Sequence, residues 1–349
     1  MGKVIHGKIV CASTLKRHWE LAPGLLLCFV IGILSYYLGL LYPVVGGAVF
    51  GILIGILIRN TVGTSRQLSP GINFTAKKLL KLAIILLGAG LNLSQICKTG
   101  LSSLSVLVFT LLTAYGAAYF FGKRMKVPDN LIHLIGTGTA ICGASAIAAV
   151  SPIVKADDSE ICYSISTVFL FNVIAVLIFP QLGYLLHMSD SAFGLWAGTA
   201  INDTSSVVAA GYIFSDPAGA YATIVKLTRS TMIIPIAMLY AAYVTYKRKS
   251  TAQTSGEDFS LIKIVPWFIL GFLGAALLNT IGLIDGFTAE ACTWMGKFLI
   301  IAALAAVGLQ ADIREMVSAG VKPIFLGLIV WCSISVVSLL VQHFMLGQL

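Results

Sequence analysis

Apolar runs of about 20 residues recur from residue 23 to the end of the chain, and about that many residues carry a helix across the hydrocarbon core of a bilayer. This pattern limits the possible folds more than any other feature. The composition agrees with it. Of 349 residues, 58% are hydrophobic and 11% charged, against about 25% charged in an ordinary soluble domain. A water-soluble enzyme, a disordered chain and a disulfide-stapled secreted domain are therefore excluded. The chain reads as an all-α polytopic membrane protein, with residues 1–349 forming one integral membrane domain and no sizeable soluble part.

Hydropathy suggests about eleven spans, near 22–41, 43–59, 78–95, 101–122, 129–152, 160–186, 192–213, 218–245, 262–282, 294–311 and 323–346. A count of ten remains open. Lys16 and Arg17 precede the first run. That run is long and lacks a small-residue cleavage pattern, so it reads as an uncleaved span. With the N-terminal segment 1–21 inside, nearly all Lys and Arg outside the spans fall on the inner side. Only Lys98 and Lys155 fall outside. This asymmetry predicts a cytoplasmic N-terminus. The polar segment 247–260 then becomes a cytoplasmic linker.

The net charge of +9 follows the same distribution and forms no basic tract interleaved with aromatics, so nucleic acid is not an expected partner. Membrane lipid is. The seven cysteines and five histidines are scattered without ligand spacing, and no metal or cofactor is expected. No HExxH, Walker loop, GxGxxG or nucleophile–base pair appears, so an enzyme is not expected.

Two pairs of segments resemble each other. Residues 78–100 and 297–320 each run from a Lys through an apolar helix to Gly-Leu (Gly90-Leu91, Gly308-Leu309), a polar turn and a Gly. They run in opposite directions in this topology, as in the inverted repeats of secondary transporters. In the second pair, Gly138-Thr139-Ala140-Ile141 recurs as Gly198-Thr199-Ala200-Ile201. Both copies lie in mid-span and turn small and polar. The spans that hold them run the same way, so either a half-helix changes the count or the two stretches share a local task.

A helix interrupted at membrane depth leaves backbone N–H and C=O groups that lipid cannot satisfy. Such a break must be buried in protein or line a wet cavity. Gly136, Gly138 and Gly143 permit a break in the first stretch, where Thr137, Thr139, Cys142 and Ser145 are the candidate binding groups. Asn202, Asp203, Thr204, Ser205 and Ser206 form a polar run inside the second. Small-residue helix packing is the competing reading. Lys226 and Arg229 lie deep in the next span, on one face at i, i+3 spacing. Each basic group at a helix centre costs roughly 2.5–3.5 kcal/mol, so the pair should face a cavity. Two cations near one carboxylate attract an anion, unless the three form a charge network that only holds helices together. Asn172 reads as interhelical glue.

The stretches GTGTAICGASAIAAVSPIVKADDSE from Gly136, AGTAINDTSSVVAAGYIFSDPAGAYATIVKLTRS from Ala197 and PGINFTAKKLLKLAIILLGAGLNLS from Pro70 resemble the YeiH-like family of sulfate exporters in bacterial inner membranes. The resemblance covers nearly the whole chain. It implies a distant similarity to cation/proton antiporters and bile-acid-type carriers, with discontinuous helices, an elevator motion and a homodimer that would suit it. The expected function is a secondary transporter exporting a small anion such as sulfate, sulfite or an organosulfonate. Asp203 would couple transport to H⁺ or Na⁺. The alternatives are a Na⁺ or K⁺/proton antiporter that uses Asp203, and a non-transporting membrane subunit or sensor.

Overall fold

The computed structural model describes residues 3–42, 45–236, 238–240, 267–314 and 320–347, with backbone only for residues 3–19 and 346. The predicted linker 247–260 and parts of the adjoining predicted spans lie outside the described residues. Every regular element among the described residues is helical. Six helices are long and apolar enough to cross a membrane, and four shorter apolar helices accompany them. The chain is a polytopic membrane protein, and it forms two compact units.

The first unit holds α1 (Lys3–Leu41), α2 (Gly47–Thr61), α3 (Ser69–Phe74), α4 (Leu80–Gly88) and α13 (Gly286–Gln310). A π-helical turn, Thr75–Leu79, joins α3 to α4. Gly47, Gly51 and Gly55 recur every four residues and so share one face of α2. That face lies on the backbone of α13, where a Cβ at Gly51 would sit 3.0 Å from the Ile301 carbonyl oxygen. Close backbone approach through small residues is how helices associate where no hydrophobic effect drives them together. Trp294 and Phe298 stack with centroids 6.0 Å apart, and Tyr36 of α1 meets both edge-on. An Arg59–Asp312 ion pair at 3.0 Å ties the end of α2 to the chain just after α13.

The second unit holds α5 (Leu93–Arg124), α6 (Asp129–Ala140), α7 (Ala144–Val154), α8 (Asp158–Leu185), α9 (Asp190–Ala200), α10 (Thr204–Phe214), α11 (Asp216–Thr231), α12 (Trp267–Thr280) and α14 (Val321–Val341). Here α6, α7, α9 and α10 have 12, 11, 11 and 11 residues. At ~1.5 Å per residue each is about 17 Å long, roughly half of a ~30 Å hydrocarbon core. They are half-helices, paired end to end as α6–α7 and α9–α10. Three-residue breaks, 141–143 and 201–203, separate the halves.

Aromatic packing fixes the second pair against its neighbours. Phe179 of α8 stacks on Trp196 of α9 at 4.1 Å, Phe193 stacks on Phe214 at 4.1 Å, and the Trp196 indole donates to the Ser335 carbonyl at 3.0 Å. At the start of α8, Asp157 and Glu160 form a reciprocal cap. The Asp157 carboxylate accepts from the Glu160 N–H at 2.7 Å and the Glu160 carboxylate from the Asp157 N–H at 3.0 Å. Asp157 and Glu160 are therefore helix-capping groups.

Candidate functional site

Each half-helix ends where its backbone can no longer bond to itself. The end of α6 leaves carbonyls that need donors at membrane depth. The Ile141 and Gly143 N–H groups turn back onto the Thr137 and Gly138 carbonyls at 3.1 and 2.9 Å. Thr139, Ala140 and Ile141 remain. The Arg229 guanidinium donates from Nη2 to the Thr139 carbonyl and from Nε to Ala140 at 2.6 Å. The Lys226 ammonium donates to Ile141 at 2.7 Å. The last four carbonyls of α6 and that of Ile141 in the break are thus satisfied.

The same two side chains serve the end of α9. Arg229 Nη1 donates to the Thr199 carbonyl at 2.6 Å and to Ile201 at 3.3 Å, and Lys226 donates to Ile201 at 3.0 Å. The repeated tetrapeptide therefore marks one local task carried out twice. Arg229 takes the Thr carbonyl of each copy and Lys226 takes the Ile carbonyl. Cations suit helix C-termini, where the dipole concentrates partial negative charge. Both side chains are fully buried. Asp203 accepts a hydrogen bond from neither of them. Arg229 commits four of its five N–H groups and Lys226 two of three, leaving one on each.

Close packing brings α11 within reach. A Cβ at Gly198 would lie 2.6 Å from Val225 Cγ1 and 3.1 Å from the Ala222 carbonyl oxygen. Only glycine lets α9 sit this near α11.

The starts of the second halves differ. Gly143 precedes α7 at φ 69, ψ −130 and supplies no side-chain cap. Glycine is needed there for its backbone, because the nearest atoms to an added Cβ are Val168 Cγ1 at 3.6 Å and Asn172 Nδ2 and Asp203 Cβ at 3.8 Å. The two breaks therefore face each other across Asn172. Asp203 caps α10. Its Oδ2 accepts from the Ser205 N–H at 2.9 Å and from the Ser205 hydroxyl. Asn172 of α8 accepts the Asn202 and Asp203 N–H groups at 3.2 and 3.0 Å. It is glue, as the sequence suggests, but the groups it holds are the backbone of the break. A lone Asn in an apolar span carries no mark of that role.

The structure brings Lys226, Arg229, Asn202, Asp203, Cys142 and the Thr139 backbone together at the crossing. Cys142 lies within electrostatic range of Lys226, Arg229 and Asp203. Thr204, Ser205 and Ser206 form the buried first turn of α10. The Thr137 hydroxyl is directed elsewhere, toward Tyr115 at 3.3 Å and Tyr240 at 3.4 Å. Ser145, just past the first break, is exposed, and Asp203 is half-buried. The side-chain oxygen and nitrogen of Asn202 are buried without a hydrogen-bond partner. Among the described residues no group of three or more His, Cys, Asp or Glu is arranged to hold a metal.

The comparisons with known proteins agree with this architecture. A family model described as Conserved hypothetical protein 698 matches residues 23–327. A UPF0324 membrane protein of Clostridium tetani is 42% identical over 93% of this chain and 97% of its own length. One from Streptococcus pyogenes is 41% identical over 94% and 98%, and one from Fusobacterium nucleatum 42% over 91% and 96%. The chain belongs to the UPF0324 membrane protein family, the YeiH-like family that its sequence resembles.

Proposed function

We propose that this protein is a secondary transporter that moves a small anion, in the range of sulfate, sulfite or an organosulfonate, outward across the bacterial inner membrane. One observation carries the reading. Two fully buried cations and one half-buried carboxylate meet at the crossing of two interrupted helices. The helix ends there, two C-terminal and two N-terminal, cancel in partial charge. A formal surplus of one positive charge remains, and an incoming anion neutralises it. Bound charge at helix breaks is the arrangement that carriers of this general kind use. The elevator mode implied by the resemblance needs a site built within one body, and every residue of the crossing lies in the second unit. The transporter needs no resident cofactor, and H⁺ or Na⁺ at Asp203 supplies the coupling.

The test is anion exchange in proteoliposomes loaded with labelled sulfate or sulfite. The expected result is exchange in the wild type and loss of it in Lys226→Met at normal insertion. Exchange undiminished in Lys226→Met would overturn the site. Asp203 is also the one carboxylate at the breaks among the described residues, which favours a second reading as a Na⁺ or K⁺/proton antiporter. Proton flux that follows Na⁺ or K⁺ and ignores every anion would select it.

A further inference from the structure

Asn202 occupies the second break with 1% of its surface exposed. Its backbone N–H is held by Asn172, yet neither its Oδ1 nor its Nδ2 has a hydrogen-bond partner among the protein groups. Buried amides are nearly always satisfied, and leaving both ends unmet is costly. Helix packing does not require such a side chain, since leucine has nearly the same shape and no unmet groups. In the chain Asn202 follows Ile201, whose carbonyl accepts from Lys226 and Arg229, and precedes Asp203, which caps α10. Its unmet groups thus belong to the same break that the two cations hold.

We infer that the crossing recognises a singly charged oxyanion that keeps one hydroxyl, and that Asn202 reads that hydroxyl. This rests on the anion-carrier reading and narrows its substrate class. Two features select the ligand. With Asp203 ionised and free of a coupling ion, the surplus at the crossing is one positive charge, which a monoanion cancels and a dianion overshoots. The amide offers one acceptor and one donor side by side. A ligand oxygen bearing a proton donates to Oδ1, and a bare oxygen of the same ligand accepts from Nδ2. Sulfate near neutral pH has two charges and no hydroxyl, so it leaves Oδ1 unmet. An organosulfonate has the right charge and again no hydroxyl. Sulfite in its O-protonated form meets both conditions, as do hydrogen selenite and hydrogen carbonate. The remaining N–H on Lys226 and on Arg229 supplies donors for the other oxygens.

The test uses the full chain in nanodiscs, with binding read by ligand-induced thermal shift, and in liposomes, with exchange of labelled anion. The probes are hydrogen selenite and hydrogen carbonate (one charge, one hydroxyl), methanesulfonate (one charge, no hydroxyl), and selenate and sulfate (two charges, no hydroxyl), all near neutral pH. Hydrogen selenite is expected to bind at least about tenfold tighter than methanesulfonate or selenate, because a site built to bond a hydroxyl rejects analogues that lack it. Asn202→Leu is expected to remove that preference while the ligand-free melting temperature holds or rises. Equal binding of methanesulfonate or sulfate overturns the inference. So does a wild-type preference in Asn202→Leu, or a lowered ligand-free melting temperature with the preference intact, which would assign the amide to a resident water. Exchange of sulfate without any hydroxyl preference overturns this inference and leaves the anion carrier standing. Exchange of no anion at all overturns both.

Discussion

At the scale of single residues, the fold depends on a few buried polar groups with opposite requirements. Arg229 satisfies carbonyls at two helix ends, so Arg229→Ala orphans acceptors in both at once. A loss of at least about 3 kcal/mol is expected, since each orphaned buried acceptor costs about 1–3 kcal/mol. Reversible unfolding in mixed micelles measures it, and a loss below about 1 kcal/mol would show that the carbonyls find other donors. Asn172 offers a sharper comparison. Asn172→Asp keeps an acceptor for the Asn202 and Asp203 N–H groups and preserves the break. Asn172→Leu strands both donors and costs about 1–3 kcal/mol for each. Equal stability of the two variants would remove Asn172 from the role of holding the break.

The sequence disclosed this level unevenly. The polar run 202–206 and the deep cations announce themselves, because no bilayer tolerates them without a reason. The cations' i, i+3 spacing correctly set them on one face. Their partners were hidden. A sequence displays side chains, and Lys226 and Arg229 bond to backbone carbonyls exposed only where helices end. The competing reading, a charge network of the cations with Asp203, counts side chains alone. Asn172 was legible as a polar residue in an apolar span and illegible as the clasp of a break thirty residues along the chain.

At the scale of elements, glycines set the distances between helices. Gly198→Ala inserts a methyl group against Val225 and the Ala222 carbonyl. It must push α9 from α11 and stretch the Arg229 bonds to Thr199 and Ile201. A cost of about 1–3 kcal/mol is expected. Gly274 in α12 is the control. An added Cβ there meets nothing within 4 Å, so Gly274→Ala is expected to stabilise the helix by about 0.5–1 kcal/mol. The pair of variants, compared by thermal unfolding, separates crowding from propensity.

The cap of α8 makes a pH prediction. Hydrogen bonds from the Ser159 hydroxyl and the Glu160 N–H hold the Asp157 carboxyl below its ordinary range. A group depressed on folding stabilises the fold above its unfolded value, and the contribution fades as pH falls through the folded one. Melting temperature is therefore expected to drop more steeply with acidification in the wild type than in Asp157→Asn. Elements were the most legible level. The apolar runs fall on helices throughout the described residues, and the repeated tetrapeptide located both breaks. One sequence could not decide between a half-helix that changes the count and a shared task, and the half-helices are present as well. The shared carbonyl partners supply the shared task.

For the whole molecule, the distribution of Lys and Arg makes a checkable statement about sidedness. With the N-terminus cytoplasmic, Lys155, which occupies the left-handed turn between α7 and α8, faces the outside. In a variant without native cysteines, Lys155→Cys is expected to react with a membrane-impermeant maleimide in intact cells. Labelling only after permeabilisation would invert the orientation.

The double fastening of α6 and α9 by one stretch of α11 limits how such a protein can move. A rearrangement that opened the crossing by drawing the two half-helices apart would tear loose acceptors on both sides in the same instant, with no solvent to receive them. The three helices are consequently bound to shift as one solid piece.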